Sequence, residues 1–402
     1  MKKKIVLVIL VFLIVLVGGF LYYRHYRIEH ATKIVVLNRD TLEVYEKIEL
    51  DDLIQDINGN LIKNEMIDTS RIGDYDYTFS YINDENIKVP YTVTFHILDT
   101  TPPIVYRPGS YSVEVGEFSK EELEHSFFCG DNYDDHPVCT LEGEFSLDEV
   151  GEYEVTFRGE DSSSNVSQSH FLLRVIAPKS SSGSGSSSSG SYTSFQEVMD
   201  TYKNDYTKIG IDISHWQGDI DFERVKNAGV EFAYIRVGRG DGIGGNYVLD
   251  DKFTQNIKGF NEVGIPVGVY FYSYANSSED AVKEAKWVLS KIKKYKVDLE
   301  VVFDWENWES FQDFDLSFYH LTEVANTFVD TIEKAGYRGM IYSSKNYLET
   351  IWYPFSASVW LAHYTKQTNY EGDYQVWQLC NNGAVDGIVD RYVDFDILYE
   401  KK

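Results

Sequence analysis

The sequence predicts a multidomain chain: an irregular β/α barrel at the C-terminal end, two small all-β sandwiches before it, and one N-terminal transmembrane helix. Three observations carry this. Eight apolar strand-like runs with helical patterns among them lie between Ile209 and Asp396. An eight-residue motif recurs in the first half of the chain. A charge-free apolar run follows Lys2-Lys3-Lys4.

That run, Ile5 to Tyr23, has about the length (~20 residues) that a helix needs to span a bilayer core. A cleaved signal peptide is the competing reading, but no Ala-x-Ala-like site follows. Gly18-Gly19 is succeeded by bulky Phe20, Tyr22 and Tyr23. We therefore expect residues 1–4 inside, a retained anchor over residues 5–23, and all that follows on one side of the membrane. Charge alone leaves the orientation open, because Arg24, His25 and Arg27 flank the far end.

Ile72-Gly73-Asp74-Tyr75-Asp76-Tyr77-Thr78-Phe79 returns as Val150-Gly151-Glu152-Tyr153-Glu154-Val155-Thr156-Phe157. Leu42, Val44 and Leu53 return as Val113, Val115 and Leu123. Apolar and polar residues alternate in both copies, the period of a half-buried strand. Short strands punctuated by Gly, Pro and Asn predict two β domains, residues 32–99 and 100–177. With Asp99-Thr100-Thr101-Pro102-Pro103 opening the second copy, they resemble the immunoglobulin-like repeats of bacterial surface proteins. Cys129 and Cys139 flank an acidic loop in that copy. A disulfide there and two reduced thiols are both open. Asp131, Asp134 and Asp135 lack the spacing of a calcium loop and read as a polar turn. Residues 178–192 are almost pure Ser and Gly, a flexible tether that would let the last domain sweep freely.

Residues 193–402 alternate strand and helix. Asp280 to Tyr295 puts Ala281, Ala285, Val288, Leu289 and Ile292 on one stripe, and Leu316 to Ala335 ends at Gly336, a C-terminal cap. Some gaps, notably after Trp360 and Trp377, are too short for a helix, so the TIM-like barrel should be irregular.

Barrel active sites form at the C-terminal ends of the strands. Asp212 ends the first strand, Asp304 the fourth, and Asp394 lies on the last. Asp304 and Glu306 are two apart on extended chain and so leave the same side. Crowded carboxyls cannot all ionise, so one keeps a proton and can act as an acid. A glycosidic bond is cleaved by such a pair, one acid for the leaving oxygen and one anion for the cationic sugar. Trp216, Tyr270, Tyr272, Trp305, Tyr364 and Trp377 are candidate sugar platforms. With 31 Tyr and 7 Trp in the chain, core packing is equally open for each.

Gly210-Ile211-Asp212-Ile213-Ser214-His215-Trp216-Gln217-Gly218, Phe303-Asp304-Trp305-Glu306, Trp377-Gln378 and Val393-Asp394-Phe395-Asp396 resemble, in order and spacing, the motifs of glycoside hydrolase family 25, the lysozyme-type muramidases. The resemblance covers residues 208 to 400. It implies Glu306 as general acid, Asp304 orienting the substrate's 2-acetamido group or stabilising the sugar cation, and Asp212 and Asp394 in support. It also implies contacts to substrate from Trp216, Arg236, Tyr270, Tyr272, Trp305, Tyr364, Trp377 and Gln378. Asp396 departs from the family, which commonly has Asn there, and a further acid would shift the pH optimum. The implied substrate is the β-1,4 link from N-acetylmuramic acid to N-acetylglucosamine in peptidoglycan, cleaved without metal or cofactor. That substrate places the catalytic domain outside, facing the wall, on a single-pass protein of the cell membrane.

A formal net charge of −27 argues against nucleic-acid partners, whose phosphates it would repel. Three cysteines give neither a disulfide framework nor zinc-ligand spacing. Oligomeric state is not legible.

Overall fold

A computed structural model of the chain describes residues 2–178, 192–389 and 392–400. Two compact units divide it, Met1–Thr100 and Thr101–Lys402. The expected Ser/Gly tether falls, apart from its ends, outside the described residues.

The first unit begins with a helix, Lys2–Glu29. It runs past Tyr23 because Arg24 to Glu29 contain no helix breaker, so backbone bonding continues into charged sequence. Among the described residues, one helix, Leu10–Glu29, is long and apolar enough to cross a membrane. A hairpin follows, Gly73–Asn83 paired with Lys88–Leu98. Thr41–Glu43 adds parallel to the second arm and Gly59–Leu61 antiparallel to the first, giving four strands. A two-stranded ribbon joins Val35–Leu37 to Ile54–Ile57.

The second unit opens with the same plan. Its hairpin is Gly151–Glu160 with Val166–Ile176, flanked by parallel Ser110–Glu114 and antiparallel Val138–Glu142. Its ribbon pairs Ile104–Val105 with Cys129–Gly130. The recurring sequence motif thus heads the first arm of each hairpin, at Gly73 and Gly151. Each copy is one four-stranded sheet with a ribbon, and each adds a short helix that the alternation pattern did not announce. Leu50–Leu53 and Lys120–His125 bury Leu53 and Leu123 completely. Ser119 and Glu122 form a capping box on the latter helix. Cys129 and Cys139 are joined in a disulfide. Asp131 and Asp134 accept hydrogen bonds from backbone amides of the turn, at 2.7 Å to the Asp134 amide and 2.9 Å to the His136 amide.

Eight strands then close a barrel: β1 Thr207–Ile213, β2 Phe232–Gly240, β3 Val267–Tyr272, β4 Val301–Asp304, β5 Gly339–Ser344, β6 Ser358–Ala362, β7 Val376–Ala384 and β8 Val393–Tyr399. They neighbour one another in sequence order, and β8 pairs with both β7 and β1. The first seven are parallel; β8 is antiparallel to its two neighbours. Helices pack on the outside, among them Phe253–Val263, Ser278–Ile292, capped by Ser277, and Phe318–Lys334, capped by Ser317. Gly336 takes the left-handed backbone (φ +89) that ends the last of these.

Strand alternation sorts the side chains. Ile209, Ile211, Ile213, Ala233, Ile235, Val301 and Phe303 point outward into the layer under the helices. Phe232, Tyr234, Val302, Met340, Tyr342 and Trp360 fill the barrel.

The second β domain packs directly on the barrel. Phe128 meets Phe311 at 5.4 Å and Phe318 at 6.1 Å between ring centroids. The Phe318 amide donates to the Asp131 carbonyl at 2.8 Å, and Gln312 Nε2 donates to the carbonyls of Glu124 and Phe127. A freely sweeping terminal domain is therefore not what the chain builds. Buried aromatic area and directed backbone bonds hold the two together.

Candidate active site

The C-terminal ends of β1 to β7 and the start of antiparallel β8 meet at one face. That reversal explains why Asp394, the second residue of β8, stands opposite Asp212 near the end of β1. A groove of about 460 Å3 opens there, lined by Asp212, Trp216, Arg236, Tyr270, Tyr364 and Asp394, among others.

Gln378 organises one wall. Its Nε2 donates to Asp212 Oδ2 at 2.7 Å and to Asp394 Oδ2 at 3.2 Å. Its Oε1 accepts from Tyr342 at 2.9 Å and Tyr364 at 3.0 Å. Tyr342 had no sequence signal beyond closing an apolar run.

Burial pushes the Asp212 carboxyl well above the usual range, and the neighbouring Asp396 and Glu306 carboxyls add to it. Asp394 rises to about 9, through burial first and then Asp212 and Glu306. Asp396 lies wholly enclosed beneath them, accepts from Trp360 Nε1 at 2.9 Å, and is also pushed well up by burial and Asp394.

Asp304 and Glu306 lie within electrostatic reach of Asp212. Asp304 is 4% exposed, and its Oδ1 has no protein partner. Burial raises it strongly, and both the charge of Glu306 and a hydrogen bond with it act the same way. Glu306 opens to solvent. The groove still desolvates it enough to raise it, against an opposing hydrogen bond from Asp304. The two titrate as one unit. Burial raises both carboxyls, so the pair favours keeping a proton. Arg236 opposes these shifts at Asp304. It is itself held by Asp250 Oδ2, at 2.9 Å from Nε, and it contacts His215 Nδ1. Asp250 also accepts from the His215 amide at 3.0 Å. Asp250 lies outside the strand-end pattern, so the sequence offered no reason to choose it.

The aromatic candidates divide. Trp216 is 68% exposed at the groove rim, and Tyr364 is exposed beside it. Tyr270 and Tyr272 are half-buried at the end of β3, and Tyr272 donates to Asn307 Oδ1 at 3.4 Å. Trp305 and Trp377 are not platforms. Alternation that sends Asp304 and Glu306 into the groove must send Trp305 the other way, where it packs on Trp308 at 4.8 Å and Phe314 at 4.9 Å. Gln378 likewise points in, so Trp377 points out, against Tyr202, with its Nε1 donating to the His363 carbonyl at 2.8 Å.

A larger cavity, about 970 Å3, lies at the opposite end of the barrel. Its buried carboxylate, Glu300, is taken up by Tyr234, Arg338 and Gln375, a structural ion-pair network.

The family described as Glycosyl hydrolases family 25 matches residues 211–388, which span this site. Lysozyme M1 of Streptomyces globisporus is 44% identical over 69 residues, 17% of this chain and 22% of the relative. The autolytic lysozyme of Clostridium acetobutylicum is 26% identical over 185 residues, 44% of this chain and 52% of the relative. The chain thus spans about a fifth to half the length of these two. Among solved structures, the bacterial lysozyme from Streptomyces coelicolor matches at 26% identity and a TM-score of 0.41, covering 48% of this chain and 92% of that one.

Proposed function

From the premise that residues 211–388 belong to Glycosyl hydrolases family 25, we propose that the chain is a muramidase. It hydrolyses the β-1,4 bond between N-acetylmuramic acid and N-acetylglucosamine in peptidoglycan. The observation that carries this reading is the Asp304–Glu306 pair at the end of β4, one carboxyl buried and the other open to solvent, within electrostatic reach of Asp212.

Glu306 acts as the acid. Its carboxyl proton passes to the glycosidic oxygen as that bond breaks. Charge develops at the anomeric carbon, and the substrate's own acetamido oxygen closes on it, oriented by Asp304. Water then opens the ring, giving its proton to the Glu306 carboxylate, and configuration is retained. Asp212 and Asp394, tied by Gln378, act as supporting carboxyls beside the sugar, and Trp216 stacks a neighbouring sugar. The helix Leu10–Glu29 holds the enzyme on the membrane with its barrel facing the wall.

Loss of turbidity in purified cell walls, with mass spectrometry of the fragments, tests the activity. Glu306→Gln should lose about 100-fold or more, ~2.7 kcal/mol of transition-state stabilisation. Near-normal turnover would remove Glu306 from the role. An inverted anomer by NMR would exclude the acetamido route.

A further inference from the structure

A second cleft, about 670 Å3, lies where the second β domain meets the barrel. From the β domain it takes Tyr106, Tyr111 and His125; from the barrel it takes Trp308, Glu309 and Tyr347. Trp308 and Glu309 stand two and three residues beyond Glu306 on the same loop. Trp308 and Tyr347 stack at 3.8 Å between centroids. Burial raises the Tyr347 phenol, and Glu309, Glu306 and Tyr106 all push it the same way. The cleft is thus lined in part by residues that follow the catalytic acid directly in the chain. Tyr106 is 42% exposed, one side of its ring lying against Phe127 at 5.6 Å. The exposed side chains of His125 and Glu309 supply polar groups beside these rings.

Flat aromatic faces bordered by hydrogen-bonding groups suit a sugar ring, which offers C–H bonds on its faces and hydroxyls at its edge. Both walls are needed to make the cleft, and the docking of the β domain brings them together. We propose that this junction is an additional saccharide subsite for the glycan strand beyond the catalytic groove, with Tyr106 as the platform supplied by the β domain. It rests on the muramidase reading only for the identity of the strand. It gives the repeat domain a part in gripping long substrate.

The test uses the full chain carrying Glu306→Gln, so that bound strands are not cut. Calorimetry compares this protein with and without Tyr106→Ala, against peptide-free glycan strands and against a tetrasaccharide that fills the catalytic groove alone. Tyr106→Ala should weaken strand binding about tenfold and leave the tetrasaccharide unchanged, while Tyr106→Phe keeps full affinity. Glu309→Gln, at an exposed position, should weaken strand binding severalfold even if the Tyr106 variant proves unstable. Equal losses on both ligands, no loss on strands, or a loss seen only with peptide-bearing strands would overturn the subsite. Failure of wild-type protein to clear cell walls would count against the muramidase reading and leave this binding result standing.

Discussion

His320 Nδ1 of the barrel lies 2.7 Å from Asp135 Oδ1 of the second β domain. Asp135 also accepts from the Ser317 amide at 2.6 Å, so one carboxylate holds both the cap residue of a barrel helix and a histidine across the domain junction. Its hydrogen bond to Asp135 raises His320 above its ordinary value, with the nearby Glu323 adding slightly. Burial works to raise Asp135, but His320 and Ser317 outweigh it and the carboxyl ends up lowered.

The sign follows from linkage. A raised histidine contributes fully below its undocked value and is lost as pH rises through its docked value. A lowered carboxyl contributes above its ordinary value and is lost as pH falls through its docked one. Docking should therefore be tightest in mildly acidic solution and loosen above neutrality. Hydrogen exchange at the Phe127 and Phe128 amides, followed across pH 5 to 8.5, should show protection falling with pH. His320→Ala should flatten that profile; an unchanged profile would dismiss the pair as a determinant.

Much of the barrel was legible because its strands are apolar runs ending in acids, and alternation alone places Asp212, Asp304 and Glu306 on the inner side. The same alternation would have excluded Trp305 and Trp377 as platforms had it been applied to them. Aromatics at strand ends attract a sugar-binding reading whichever way they face. The direction of β8 was hidden, since a strand's pattern is the same read either way. Docking was hidden too. Phe128 reads as one more core residue of its own domain, and only the fold shows it facing Phe311 and Phe318. Asp250 and Tyr342 join the site through contacts distant in sequence that no local motif signals.

Trp216 and Trp305 should part cleanly on mutation. Trp216 is 68% exposed at the rim, so Trp216→Ala should leave the melting temperature unchanged and raise KM about tenfold, the equivalent of ~1.4 kcal/mol of binding. Trp305 is completely buried, and Trp305→Ala should cost about 3–5 kcal/mol of stability by leaving a cavity among Trp308, Phe311 and Phe314. Denaturant melts beside KM on soluble glycan strands separate the two. A Trp216 variant that binds normally would return that residue to the surface.

Asp396→Asn keeps the acceptor for Trp360 and removes one buried acid. A carboxyl raised by enclosure stabilises least where it would otherwise ionise, so its cost grows as pH climbs above the ordinary carboxylate range. The variant should melt higher than wild type at pH 7 to 8, with the gain shrinking toward pH 4. It should also lower Asp212, because Asp396 is the largest charge acting on that residue after burial itself. The limb of the pH–activity curve governed by Asp212 should move to lower pH. A parallel melting difference at every pH would mean that packing, not ionisation, sets the effect.

Gln378 is the side chain on which both supporting acids depend. It donates to Asp212 and Asp394 and takes two tyrosine hydroxyls in return. Methionine of similar length would leave all four groups without that partner, and losing the amide donor removes an influence that holds Asp212 down. Gln378→Met should therefore reduce kcat about 10- to 100-fold and move the Asp212 limb of the pH profile upward. Gln378→Glu returns two acceptors but brings a fifth carboxyl to Asp212, Asp394, Asp396 and Glu306, so it should move that limb further and lose more activity. A merely structural role predicts equal losses in the two variants with no movement of the profile, and pH–rate curves for both decide between the outcomes.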